Sequence, residues 1–299
     1  MNNNKIINGK LISDMILDDI KHQYSNYKED KECTLVVVTI GDDPASKVYV
    51  NNKKKACDYV GFDFYNKRFT EWDNYEDIAT YLMELNQSPN VYGIIIQLPI
   101  ISNTLTDVQK KIICKLPSYS KNVDGFGNIS KFIPCTPKGI IRMLDTIKYD
   151  YKGKTALVIG RSDIVGKPIA KLLLDRDCTV IQAHSKTPKE RLLRMFSFSD
   201  IVISAVGKPN LITFDECYQY WKDNRHDFYG AFENNRDRVI IDVGINRNAE
   251  GKLCGDLEED FKDHYSTYYT PVPKGVGPMT VAMLIENVWE SFKHGNNIQ

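Results

Sequence analysis

The chain alternates short runs of β-branched and aliphatic residues with longer stretches of helical period. In the first half the runs are TLVVVTIG from Thr34, FDFYNKRF from Phe62 and VYGIIIQLP from Val91. In the second half they are KTALVIG from Lys154, CTVIQAHS from Cys178, DIVISAVG from Asp200 and RVIIDVGIN from Arg238. Continuous apolar runs predict strands covered on both faces, and their alternation with helices predicts parallel sheets. A turn-rich junction, NVDGFGNISKFIPCTPKG, separates the halves. The pattern predicts two α/β domains with a boundary between Gly139 and Gly153. The stretch from Cys217 to Asp237 is polar and aromatic without a clear period, and reads as an insertion on a loop. The Asn-rich ends, MNNN and HGNNIQ, read as frayed.

One helical stretch carries candidate chemistry. SKVYVNNKKKACDYV, Ser46 to Val60, has no Gly or Pro and follows GDDP, a helix start. At ~100° per residue, Val50, Cys57 and Val60 share an arc with Ser46 and Tyr49, and Lys53 falls inside it. Lys55 points to the opposite side with Asn51 and Asp58, and Lys54 lies on the flank. Two readings of Lys53 stand at this point. It lays its stem on the core and keeps its ammonium in water, or it is a partly desolvated lysine, the kind that makes a usable base.

Composition narrows the field. With 299 residues and 42% apolar content, the chain can build one large core or two medium ones. Thirty-nine basic residues balance 39 acidic ones, which argues against a dedicated nucleic-acid binder. Seven cysteines without a C-x-x-C pair read as free thiols in a reducing compartment. Five histidines lack metal-ligand spacing, so no metal site is expected. No apolar run reaches spanning length, and the N-terminus has no signal core. The expectation is a cytoplasmic protein that does not use a membrane.

The second half contains TALVIGRSDIVGKPIAKLLL, which reads as strand, Gly-rich turn, helix. Gly160 ends the strand, and Gly166 with Pro168 opens the helix, whose N-terminal N–H groups suit a pyrophosphate. The middle glycine of G-x-G-x-x-G is missing, but the turn opens a βαβ unit of the expected length, so a Rossmann-type domain is expected. The next strand ends in His184, Ser185 and Lys186 instead of the acidic residue an NAD site places on the ribose. With Arg161 in the phosphate loop, these groups fit a 2′-phosphate and point to NADP.

Taken in order, SKVYVNNKKKACDYVGF, GIIIQLPI, KNVDGFGNI, PCTPKGI, VIGRSDIVGKPIAKLLL, VIIDVGINR, GDL and TPVPKGVGPMTVAMLIENV form a longer pattern. It resembles the signatures of the bifunctional methylenetetrahydrofolate dehydrogenase/methenyltetrahydrofolate cyclohydrolase family, from about Ile7 to Trp289. The resemblance implies oxidation of 5,10-methylenetetrahydrofolate to the methenyl cation with NADP, then hydrolysis to 10-formyltetrahydrofolate. It implies a homodimer that acts on tetrahydrofolate derivatives and feeds purine synthesis. It assigns residues 1–139 to a folate-binding catalytic domain, with the C-terminal helix, about 278–299, packing back on it. Residues 140–277 become the NADP-binding domain, with the active site in the cleft between the two. By resemblance, Lys53, Tyr49 and Gln97 are catalytic, Asp124 anchors the pterin, and Ser46, Pro273 and Gly275 line the folate pocket. Gly160, Arg161, Ser162, Ser185 and Ile245 match cofactor positions.

The chain departs from the family in places. Lys274 stands where a second glycine is usual, adding a bulky cation beside the folate pocket. VDGFGNIS lacks the residues that commonly follow VDGF, and the insertion at 217–237 has no counterpart. An alternative reading therefore keeps the dehydrogenase and weakens or removes the cyclohydrolase. A nucleic-acid binder using the lysine run is disfavoured by the zero net charge.

Overall fold

The structure, a computed structural model, describes residues 5–29, 31–126, 130–223, 238–258, 261 and 267–298. The chain divides into two compact units, one of Ser13–Cys135 with Thr280–Gln299 and one of Met1–Ile12 with Thr136–Met279. Both are built on parallel sheets, as continuous apolar runs require.

The first unit centres on a three-stranded parallel sheet in the order β3 (Asp63–Phe69), β2 (Thr34–Ile40), β4 (Val91–Gln97). Every residue of β2 is buried, and Val36, Val38, Ile40, Ile94 and Ile96 form a core with Ile78 and Leu82 of α3 (Tyr75–Gln87). Helix α2 (Pro44–Val60) connects β2 to β3. Asp43 caps its start by accepting from the Ser46 backbone N–H at 2.6 Å, and Pro44 opens its first turn. Gly61, with φ 92°, ends it in the left-handed conformation that favours glycine. The C-terminal helix α9 (Val276–Gly295) lies mostly in this unit. At Gly93 of β4 a Cβ would meet Val288 at 2.9 Å and Leu35 at 2.8 Å, so a bare backbone is what lets helix and sheet approach. Trp289 and Phe292 of α9 join Tyr24 and Phe62 in an edge-and-stack aromatic cluster. The C-terminal end is not frayed. Asn296 donates to the Tyr92 hydroxyl at 2.9 Å. The other Asn-rich end, residues 1–4, lies outside the described residues.

The second unit holds a six-stranded parallel sheet in the order β1 (Lys5–Ile6), β11 (Thr267–Tyr269), β8 (Arg238–Asp242), β7 (Ile201–Ser204), β5 (Thr155–Ile159), β6 (Thr179–Ala183). Helix α6 (Gly166–Leu174) joins β5 to β6, and α7 (Lys189–Phe198) joins β6 to β7. A two-residue pair, β9 (Asn246–Arg247) and β10 (Leu253–Cys254), forms a hairpin beyond β8.

Another sequence expectation is corrected. The segment read as a loop insertion from Cys217 begins inside helix α8 (Phe214–Asp223), with Cys217 buried. Thr213 and Glu216 bond reciprocally at its start. The Glu216 N–H donates to the Thr213 hydroxyl at 3.3 Å, and the Thr213 N–H donates to the Glu216 carboxylate at 2.9 Å. Residues 224–237 lie outside the described residues. No helix among the described residues is long and apolar enough to cross a membrane, and none of their His, Cys, Asp and Glu form a metal-binding group.

Candidate active site

The lysine run of α2 is resolved by exposure. Lys54 and Lys55 are exposed, and Lys54 pairs with Asp58 one turn on at 2.7 Å. Lys53 is half-buried within the arc formed by Ser46, Val50, Cys57 and Val60, all buried. Tyr49, placed on that arc by the wheel, is 45% exposed instead. Around the axis it lies between Val60 and Ala56, both buried, so on this flank the helix is covered toward its C-terminal end and open at Tyr49.

Lys53 Nζ donates to Oε1 of Gln97 at 2.9 Å. Gln97 ends β4 and is only 8% exposed. Its own Nε2 donates to the Leu98 carbonyl at 2.8 Å, which fixes the amide so that the oxygen faces the lysine. The Ser46 hydroxyl donates to the same carbonyl at 3.1 Å. Ser46 and Gln97 thus tie the first turn of α2 and the end of β4 to one point, and Lys53 reaches over it.

Asp124 lies in the VDGF turn, where Gly125 has φ 74° and a Cβ would strike Pro134 N at 2.6 Å. Burial pushes the Asp124 carboxyl above the usual carboxylate range, against the opposing pull of the Lys53 charge. The first unit therefore ties Ser46, Lys53 and Gln97 together, with Tyr49 exposed on the same helix and the Asp124 carboxyl within reach of the Lys53 charge. That set offers a held amine, a fixed amide and a carboxylate able to accept paired N–H donors.

In the second unit, Gly160 follows β5 with φ 130°, and a Cβ there would meet the Ala205 carbonyl at 2.5 Å. A Cβ at Gly166 would meet the Gly160 carbonyl at 2.5 Å. The two glycines close the turn onto the start of α6, where the Ser162 hydroxyl accepts from the N–H groups of Val165 and Gly166 at 3.2 and 3.3 Å. Arg161 and Ser185 are exposed, at the ends of the adjacent strands β5 and β6. This cradle fits a dinucleotide: a backbone turn with no room for side chains, a helix N-terminus and a free-standing guanidinium. Ile245 is exposed beyond β8. Pro273 and Lys274 are exposed and Gly275 is buried, in the turn before α9. Lys274 takes φ 82°, and its carbonyl accepts from the Lys10 N–H at 3.0 Å.

Two buried carboxylates in this unit had no role assigned from sequence. Asp256 accepts from the Ser204 hydroxyl, the Val206 and Lys208 N–H groups and Asn246 Nδ2, at 2.7–3.0 Å. Asp242 accepts from the N–H groups of Gly244, Asp256 and Leu257, at 2.8–3.0 Å. Together they hold the loops that leave β7 and β8. The signal was present in GDL and IIDVG, but their partners are remote in sequence.

Fold and sites define a class: a two-unit α/β enzyme with a dinucleotide-binding sheet in one unit and a lysine–amide–carboxylate set in the other. Two family models match the chain. Residues 7–124 match the tetrahydrofolate dehydrogenase/cyclohydrolase catalytic domain, and residues 134–219 and 231–296 match the NAD(P)-binding domain of the same family. The chain belongs to the tetrahydrofolate dehydrogenase/cyclohydrolase family. It is 41% identical over 298 residues to the bifunctional protein FolD of Agathobacter rectalis, an alignment that covers 96% of this chain and 99% of the relative. Among solved structures, the FolD methylenetetrahydrofolate dehydrogenase/cyclohydrolase of Campylobacter jejuni matches with TM-score 0.85 and 33% identity, over 97% and 99% of the two chains. The methylenetetrahydrofolate dehydrogenase-cyclohydrolase of Trypanosoma brucei, solved with NADP cofactor and an inhibitor, matches with TM-score 0.82 and 26% identity, over 97% of each. The chain is a bifunctional dehydrogenase and cyclohydrolase of folate one-carbon metabolism.

Proposed function

We propose that Lys53, held by Gln97, handles the proton of the hydrolytic step, while Asp124 anchors the pterin and the Gly160–Ser162 turn carries the phosphates of NADP. The 2.9 Å bond from Lys53 Nζ to Gln97 Oε1 carries this reading, because it gives one lysine of three a fixed position. NADP, held by the Gly160–Ser162 turn with Arg161 and Ser185, would supply the acceptor for the hydride lost from the bridging carbon of 5,10-methylenetetrahydrofolate. That loss leaves a cation spread over N5, the bridging carbon and N10, and no protein base is required for it. Water that adds to the methenyl carbon must lose a proton, and the Lys53 amine takes it. Tyr49, one turn earlier on α2, and Ser46 flank the lysine on the folate side. Asp124 accepts two hydrogen bonds from the guanidine-like edge of the pterin.

NADP is preferred over NAD because Arg161 and Ser185 are exposed at adjacent strand ends and no acidic residue stands after β6. Ile245 meets the nicotinamide side of the cofactor, and Pro273 and Gly275 meet the folate. The unit of residues 13–135 with 280–299 is the folate-binding one, and that of residues 136–279 the NADP-binding one. The exposed edge of β3 favours a homodimer, since an unpaired edge invites pairing with a second copy. A cytoplasmic location and a supply of 10-formyltetrahydrofolate to purine synthesis complete the reading. The test follows NAD(P)H and methenyl absorbance together with each cofactor in turn. NADPH formation with transient methenyl product supports it, and better use of NAD overturns the cofactor assignment.

A further inference from the structure

Asn287 lies on α9, far along the chain from the site, and is fully buried. Its side-chain nitrogen donates to the Val123 carbonyl at 2.8 Å and to the Ile133 carbonyl at 3.3 Å. Val123 is the residue before Asp124, and Ile133 lies on the returning limb of the same loop. One amide thus bridges both limbs. The limbs are tightly apposed, since a Cβ on Gly125 would strike the backbone of Ile133 and Pro134 at 2.6–2.9 Å. The same nitrogen lies 3.7 Å from Sγ of Cys135, which is also buried and lies 3.5 Å from the Val123 carbonyl. Amide and thiol converge on the peptide that carries Asp124.

We propose that Asn287 and Cys135 are positioning residues for Asp124: the amide clamps the two limbs of the VDGF loop, and the thiol braces the Val123 peptide that carries the carboxylate. This rests on the reading of Asp124 as the pterin anchor. A buried amide with two N–H donors gives one strong partner to a carbonyl on each limb, so the clamp orders the loop before substrate arrives. The thiol acts on the same peptide: Cys135 Sγ lies 3.5 Å from the Val123 carbonyl, so it adds a weaker hold on the residue that precedes Asp124.

The test uses Asn287→Leu, Cys135→Ala, Cys135→Ser and Asp124→Asn in the full-length enzyme, with KM for methylenetetrahydrofolate and for NADP measured from about pH 5 to 8. Asn287→Leu should raise the folate KM ~10-fold and leave the NADP KM unchanged, as expected for the loss of two buried bonds. Cys135→Ala should raise the folate KM in the same direction by a smaller factor, and Cys135→Ser, which keeps a donor, should restore it. A role in folding alone would lower thermal stability and leave the folate KM in place. If Asn287→Leu does not fold, the Cys135 pair decides. Should Asp124→Asn weaken folate binding while Cys135→Ala and Cys135→Ser share the unaltered enzyme's folate KM, the positioning proposal is overturned and the anchor stands. Should Asp124→Asn leave folate affinity unchanged, the anchor itself is wrong.

Discussion

Replacing Lys53 with Met separates the two chemistries. Methionine keeps an unbranched stem but removes the amine that donates to Gln97. The Gln97 oxygen then lacks its donor in a residue 8% exposed. Such a stranded acceptor costs ~1–3 kcal/mol, nearer the low end here because water reaches the half-buried position that Lys53 leaves. The fold survives that loss. Methenyl hydrolysis, corrected for its spontaneous rate, should fall by ~10²–10⁴, or ~3–5 kcal/mol in the barrier, as for loss of a general acid–base. NADPH formation should fall less, because hydride transfer uses Lys53 only for placement. Gln97→Leu should impair hydrolysis in the same direction. The Lys53→Met/Gln97→Leu double variant should be little worse than Lys53→Met alone, since the two residues act as one unit. Lys55→Met is the control, and it changes neither rate. If Lys55→Met proves as damaging as Lys53→Met, or if Lys53→Met hydrolyses normally, the reasoning from α2 is refuted.

Arg161→Ala should raise the NADP KM ~10-fold or more and leave the NAD KM unchanged, as steady-state kinetics with both cofactors will show; an equal effect on both would remove the 2′-phosphate contact. Lys274→Gly should raise the urea midpoint. The left-handed backbone costs a non-glycine residue ~1–2 kcal/mol, the extra freedom of unfolded glycine offsets ~0.5–1 of it, and an unchanged or lower midpoint would contradict this. Asp242, its carboxyl raised to about 6 mainly by burial, favours the folded state below the unfolded value near 4 and loses that contribution as pH rises through about 6. The stability difference between the unaltered protein and Asp242→Asn, from urea titrations at each pH, should therefore shrink by at most ~3 kcal/mol over that window, and a flat difference would count against it.

What the sequence reveals follows from range. Strands β2, β4, β5, β7 and β8 are buried through nearly every residue, so their apolar runs show them directly. β1 and β11, two and three residues long, are too short for any period to register. α8 was hidden by its polar and aromatic composition, although the Thr213 and Glu216 pair was a readable start signal. In the site, periodicity separated Lys53 from its neighbours because the distinction is local to one helix. The same wheel misplaced Tyr49, since it gives direction around the axis but not how far along it each flank is covered. Gln97 was found through resemblance, while its burial depends on α2 lying across the end of β4. Asn287 and Asp256 were missed because what they bond lies 164 and about 50 residues away.

The unit that holds Lys53 is discontinuous: its last helix is made only after residues 136–279 of the other unit. During synthesis, residues 13–135 leave the ribosome with Gly93 and Leu35 uncovered where Val288 will pack, and with Tyr24 and Phe62 awaiting Trp289 and Phe292. At ~5–20 residues per second, the intervening segment takes about 7–30 s to be made. For that time the sheet has an open apolar face, while residues 136–279 can already close on themselves. Vectorial synthesis therefore makes the dinucleotide-binding unit the earlier to mature and leaves the catalytic lysine's own unit as the step exposed to chaperones. A chain cut just before residue 280 would keep every residue assigned to the chemistry and still lack the surface that completes its core.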